Sequence, residues 1–200
     1  MQTDLSGQVS LVTGAARGIG QAIADRLASS GSKVYYTDLD ETEAQQAASS
    51  FEGCCGRAMD VTSPEAIDTL IHEVVDESGR LDILVNNAGV NTMEHRVTID
   101  EFPQHEWDRI VGVDLHGLYQ VSHVAAGVMK RQQSGRIINI ASIVGLVPLR
   151  LQCAFAAAKG GVVNLTKAMA LELGGEGILV NGIAPGSTLT QGTRKLFYGE

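Results

Sequence analysis

The chain has 200 residues, of which 44% are hydrophobic, and its formal net charge is −8. That length and apolar content suit one packed domain and argue against a disordered chain. The acidic balance, with no run of Lys and Arg, argues against a nucleic-acid partner, and no apolar stretch is long enough to span a bilayer.

Polar residues 1–8 lead directly into a first strand, Val9–Thr13, with no secretory leader pattern. A glycine-punctuated turn and a helix follow, and Gly31 stands where that helix would be capped. The second strand is Lys33–Asp38. Cys54 and Cys55 are adjacent, and with Cys153 they show neither CxxC spacing nor a histidine cluster. No metal is expected, and reduced thiols in a cytoplasmic protein are the simplest reading.

The third strand is read over 57–61. Thr62 and Ser63 then offer helix caps, with Pro64 in the first turn and Glu65 placed for a capping box. That helix ends at Gly79. A strand over 81–86, a long helix over 106–131, a strand over 136–141, a helix over 152–173 and a strand over 177–184 complete the pattern. Several strands are apolar on both faces, as in a parallel sheet covered on each side. The alternation predicts one α/β domain over residues 1–200: a doubly wound parallel sheet of the Rossmann type in three αβα layers.

The turn after the first strand reads Gly14-Ala15-Ala16-Arg17-Gly18-Ile19-Gly20. Gly14 permits the tight turn, Gly18 lets backbone approach a pyrophosphate, and Gly20 allows helix to pack close on sheet. The helix N-terminus then offers free N–H groups to the anion. The spacing is GxxxGxG rather than GxGxxG, and alone it is a weak signal. Asp38 strengthens it, because it ends the second strand where a carboxylate would meet the adenosine ribose. That carboxylate would accept from both ribose hydroxyls and repel a 2′-phosphate, which favours NAD over NADP. On its own, Asp38 also fits a solvated turn or a helix cap, and Arg17 fits a solvent-facing or phosphate-facing role.

Further motifs fall in order: Asp60-Val61, Asn86-Asn87-Ala88-Gly89, the run ending at Ser142, Lys159 in the next helix, and Pro185-Gly186. Together they resemble the short-chain dehydrogenase/reductase family over nearly the whole chain. The resemblance implies that Gly14, Arg17, Gly18, Ile19 and Gly20 hold the diphosphate and nearby ribose, and that Asp38 reads the adenine ribose. It implies that Asp60 and Val61 flank the adenine and that Asn87 lines the nicotinamide side. It further implies that Thr188 contacts the carboxamide and Thr190 holds the loop. Each has a plainer alternative: Asn86 and Asn87 satisfying backbone, Asp60 capping a helix, Ser142 an ordinary strand-end hydroxyl.

Two positions depart from the family. Its proton-donating tyrosine, four residues before the lysine, is Phe155 here, and its helical asparagine is Asp114. Residues four apart share a helix face, so Phe155 and Lys159 can point into one pocket. A phenyl ring, however, cannot shuttle the proton that accompanies hydride. Asp114 fits either a replacement support for Lys159 or an unrelated polar residue, and His116 could approach the site from the same helix. The sequence given ends at Glu200, before the last helix and strand of family members, which would leave the sixth strand at a sheet edge.

The expectation is an NAD-dependent oxidoreductase acting on a secondary alcohol or ketone, with Ser142, Phe155, Lys159 and Asp114 at the catalytic position and activity lowered by Phe155. The alternative is a catalytically silent dinucleotide-binding partner or sensor. The substrate pocket would draw on residues 90–96 and 143–150 and on a lid that would be missing from the sequence given, which ends just after residues 191–199. The long helices, rich in small residues, suggest a homo-oligomer, a dimer or tetramer.

Overall fold

A computed structural model of the chain describes residues 3–92 and 95–190. Of the residues assigned above to the substrate pocket, Met93 and Glu94 lie outside the described residues. The strands are β1 (Val9–Thr13), β2 (Lys33–Asp38), β3 (Cys55–Ala58), β4 (Ile83–Asn86), β5 (Gly135–Ile140) and β6 (Ile178–Ile183). They form one six-stranded sheet in the order β3-β2-β1-β4-β5-β6, and every pairing is parallel. The order reverses between β1 and β4, the switch point at which open α/β sheets bind ligands.

Helices α1 (Gly18–Ser29), α2 (Glu41–Ala48), α3 (Pro64–Ser78), α4 (Gln104–Val111), α5 (Leu118–Gln132) and α6 (Cys153–Leu173) cover the sheet. Successive strand residues point to opposite faces, and both faces are buried. Leu11, Tyr35, Leu84, Ile137 and Val180 pack with side chains of α3, α5 and α6. Val12, Val34, Tyr36, Val85 and Ile140 pack with Ala24 of α1 and Ala47 and Ala48 of α2. This two-sided burial explains why the strands read as near-continuous apolar runs. Among the described residues, no helix is long and apolar enough to cross a membrane.

A row of hydrogen-bonded polar side chains crosses the interior of this fold at β4 and β5. Asn86 on β4 pairs in register with Asn139 on β5. The Asn86 amide donates to Ser122 Oγ on α5 (2.8 Å) and to Asn139 Oδ1 (2.9 Å), and the Asn139 amide donates to Thr166 Oγ1 on α6 (2.9 Å).

Three local expectations need correction. The third strand starts and ends earlier than 57–61. Asp60 leaves the ladder because its Oδ1 accepts from the Thr62 N–H (2.8 Å) and hydroxyl (2.7 Å), which turns the chain toward α3. With Thr62 so engaged, Ser63 alone caps α3, accepting from Ala66 N–H at 3.3 Å, and Glu65 is therefore not at the capping-box position. The long helix is also not uniform: between α4 and α5 the segment Gly112–Gly117 is π-helical.

Candidate active site

The carboxyl ends of the strands open onto a cavity of about 510 Å³, a size typical of small-molecule sites. Gly14, Arg17, Gly18, Ile19, Gly20, Asp38, Asp60, Val61, Asn87, Asp114, Ser142, Phe155, Lys159, Thr188 and Thr190 all line it. The cavity thus gathers the cofactor-binding and catalytic candidates named above, from the loops after the strands and from the helices that carry Asp114, Phe155 and Lys159, whereas Asn86 is not part of its wall.

The glycine loop is shaped as expected. Gly14 and Gly18 take φ of 63° and 61°, the left-handed region that favours glycine. Helix α1 begins without a side-chain cap and has no acidic residue in its first turn. Its first amides, which an α-helix leaves without internal partners, belong to residues of the cavity wall. Such a terminus attracts an anion.

Asp38 shapes the loop as well as lining the cavity. Its Oδ2 accepts from Ala16 N–H at 3.1 Å and its Oδ1 from Leu39 N–H at 2.8 Å. Each oxygen retains a further lone pair for a ligand hydroxyl. Arg17 is exposed and pairs with Glu43 at 3.3 Å on the rim. Asn87 performs the plainer task considered for it: its amide donates to Thr13 O and Gly14 O, both at 2.9 Å. Thr13 was not singled out from the sequence. Its hydroxyl accepts from the Asn87 and Ala88 N–H groups at 3.0 and 2.9 Å, binding the end of β1 to the end of β4.

At the other end of the cavity, Ser142 is half-buried at the close of β5. Its Oγ accepts from Val144 N–H at 3.2 Å, capping the 3-10 turn Ile143–Gly145 and leaving the hydroxyl proton available to donate. Helix α6 carries Phe155 and Lys159, and the ammonium lies 5.8 Å from the phenyl centroid. Phe155 also packs in an apolar cluster with Ile110, Ala154 and Ala158, which joins α4 to α6. Buried Gln152, one turn earlier, lines the same wall and was missed from the sequence because it belongs to none of the motifs.

Lys159 Nζ lies 3.1 Å from Asp114 Oδ2 and donates to Ile140 O at 3.1 Å. Asp114 Oδ1 accepts from Val90 N–H at 2.7 Å. Both side chains are buried. Burial pushes the Asp114 carboxyl above its ordinary value, while Lys159, the Val90 N–H and Arg109 pull it back. The π-helical segment carries Asp114 inward, and π segments often mark functional sites. His116, in the same segment, is exposed, hydrogen-bonds Gln120 and stacks on Tyr119, so it takes no part in the cavity wall. Tyr35 and Tyr36 are core residues whose hydroxyls meet Glu77, Ser78 and Asp25. Among the described residues, no group of three or more His, Cys, Asp or Glu side chains is placed to hold a metal.

A sequence model of the family described as short chain dehydrogenase matches residues 8–200. A 3-oxoacyl-[acyl-carrier-protein] reductase, FabG, of Vibrio cholerae is 43% identical over 195 residues, which cover 96% of this chain and 78% of that protein. The FabG of Escherichia coli K12 is 38% identical with the same coverage. Among solved structures, gox2181 superposes with a TM-score of 0.92 at 31% identity, covering 98% of this chain and 80% of the other. A Brucella melitensis structure described as ribose-5-phosphate isomerase gives 0.93 at 33% identity, covering 100% and 76%. With its glycine-loop cavity and match along nearly its full length, the chain is a member of the short chain dehydrogenase family, whose oxidoreductases use a nicotinamide dinucleotide.

Proposed function

We propose that the chain binds NAD in preference to NADP and transfers hydride between nicotinamide and a secondary alcohol or ketone. The observation that carries this is the shared cavity wall, with the uncapped α1 terminus and Asp38 at one end and Ser142, Lys159 and Asp114 at the other. A dinucleotide laid across the switch point would put its pyrophosphate on α1, its adenine ribose on Asp38 and its adenine between Asp60 and Val61. Asn87, Thr188 and Thr190 would then face the nicotinamide half. Asp38 would repel a 2′-phosphate, and Arg17, held by Glu43 on the rim, offsets that repulsion poorly.

The bound dinucleotide supplies or accepts the hydride. Ser142 donates its hydroxyl to the carbonyl oxygen, while Lys159 holds the nicotinamide ribose. Phe155 has no proton to give, so the proton reaches the oxygen from water held by Ser142 and Lys159. The missing general acid lowers the rate by roughly 10²–10⁴-fold. Exposed Ile143 and Leu149 line the cavity together with Ser142 and add apolar surface to it. Together with the relatives' names, that surface brings 3-oxoacyl thioesters within the ketone class proposed.

The protein is further proposed to be cytoplasmic and to form a homo-oligomer through the faces of α5 and α6, which light scattering would read. The central test is calorimetric titration with NAD and NADP, followed by turnover of a panel of ketones that includes a 3-oxoacyl thioester. Tighter NAD binding with slow turnover is expected. Tight binding with no turnover of any member would select the silent alternative, and no binding of either form to folded protein would overturn the site.

A further inference from the structure

Two opposite charges are sealed into the wall of the cavity. The Asp114 side chain is 0% exposed and that of Lys159 6%, with Oδ2 and Nζ 3.1 Å apart. Neither group is loose. The Val90 N–H fixes Oδ1, Ile140 O fixes Nζ, and the backbone at Gly89 lies so close that an added Cβ would be 3.0 Å from Oδ2 and 3.4 Å from Nζ. Oδ2 has no hydrogen-bond donor besides the ion pair, so Lys159 is its one direct partner among the described residues. A neutral amide at position 114 would leave the lysine charge uncancelled, whereas this carboxylate cancels it.

Charge in this part of the wall matters to one property of a dinucleotide. The oxidised nicotinamide ring is a cation and the reduced ring is neutral. The adenosine and pyrophosphate are the same in both forms. A net positive wall therefore penalises the oxidised form alone, and a neutral wall does not. Arg109 is the other cation near Asp114, and it is held by Glu106 through Nε and Nη2 at 3.0 and 2.8 Å.

We propose that Asp114 is a specificity-determining residue: by neutralising Lys159 at the nicotinamide end, it tilts the site toward the oxidised dinucleotide. This inference rests on the cavity being the dinucleotide site. It concerns the relative affinity of the two redox forms and is independent of whether Phe155 permits turnover.

The test is equilibrium binding of NAD⁺ and NADH, without substrate, to the parent chain and to Asp114→Asn. The asparagine keeps the shape and an acceptor for Val90 N–H but leaves Lys159 uncompensated. The ratio of the NAD⁺ to the NADH dissociation constant is expected to rise by about tenfold or more, the scale of one unit charge acting over several ångströms at an effective dielectric near 20. The double variant Asp114→Asn/Lys159→Gln, again neutral, is expected to return the ratio to within about twofold of the parent. Contacts that Lys159 makes with both forms cancel in the ratio. Asp114→Ser removes the charge with less bulk and carries the same expectation, so the result does not depend on one variant folding. An unchanged ratio in the single variants, or a changed ratio that persists in the double variant, overturns the inference while leaving the dinucleotide site intact. Failure of the folded parent to bind either form overturns the site itself, and the inference with it.

Discussion

Asn87 donates its amide to the carbonyl of Gly14 at 2.9 Å, so the end of β4 holds the first glycine of the loop in place. That contact depends on Gly20. A Cβ at position 20 would overlap both the Gly14 carbonyl oxygen and Asn87 Nδ2. The backbone oxygen cannot move without unwinding the turn. Gly20→Ala is therefore expected to cost about 1–3 kcal/mol of stability, the range for overpacking, and to weaken NAD binding at least tenfold. Urea unfolding and calorimetry would check both, and wild-type values for the two would refute the account of the loop.

Asp38 combines a structural and a selective task. Asp38→Ala removes the acceptor of the Ala16 and Leu39 N–H groups, at about 1 kcal/mol of stability. It also removes the charge that opposes a 2′-phosphate. The ratio of NADP to NAD affinity is expected to rise by about tenfold or more, the order expected for a unit like charge at close range. A ratio that does not move would remove Asp38 from the ribose role.

Phe155 shares the cavity wall with Ser142 and Lys159. A tyrosine hydroxyl there would project from a ring whose centroid lies 5.8 Å from the ammonium. Phe155→Tyr is expected to raise turnover of any accepted ketone by roughly 10²–10⁴-fold, the usual contribution of a positioned general acid. The dinucleotide dissociation constants should change little. No gain with any substrate that the parent turns over would show that the missing phenol is not what limits the rate.

Lys159→Gln strands the buried Asp114 carboxylate. Breaking such a pair costs about 3–5 kcal/mol when the survivor stays charged. The survivor can escape by taking a proton, because burial already holds its carboxyl above the ordinary value of 3.8. The folded chain then binds a proton that the unfolded chain has released. Stability from this source is present at low pH and is lost as pH rises through the folded value. The penalty of Lys159→Gln, relative to the parent, should therefore shrink as pH falls from neutrality toward the ordinary carboxylate range. Arg109, the other cation acting on Asp114, stays charged throughout and does not change the sign. Chemical denaturation at a series of pH values would read this, and a penalty that does not vary with pH would contradict it.

The sheet and the glycine loop were legible because their signals are local. A strand buried on both faces writes a run of apolar residues, and a tight turn writes glycine. Asp38, Ser142 and Lys159 were legible because motifs fixed their places at strand ends or on the following helix. The partnership of Asp114 with Lys159 was left open, because no local pattern connects α6 to the long helix before β5. The π-helical segment was invisible for a similar reason: the apolar spacing of residues 106–131 reads as one α-helix, and an extra residue in a turn alters the facing of Asp114 without altering composition. The displaced third strand and the shifted cap of α3 turn on whether Thr62 bonds Asp60 or the helix, two alternatives of similar local energy that tertiary packing decides.

The amide pair Asn86–Asn139 bears on how the chain finds its fold. A strand that slips by two residues keeps its apolar side chains facing the same way, so hydrophobic burial barely distinguishes the correct alignment of β5 on β4 from its nearest competitor. The amides do distinguish it. Slipped by two, each would sit in a dry interior opposite an aliphatic neighbour, with donors that water could not reach, at a cost of roughly 1–3 kcal/mol per group. The polar crossing thus acts as a proofreading device for alignment. It favours the observed register, in which Asn86 donates to Ser122 and Asn139, and Asn139 to Thr166.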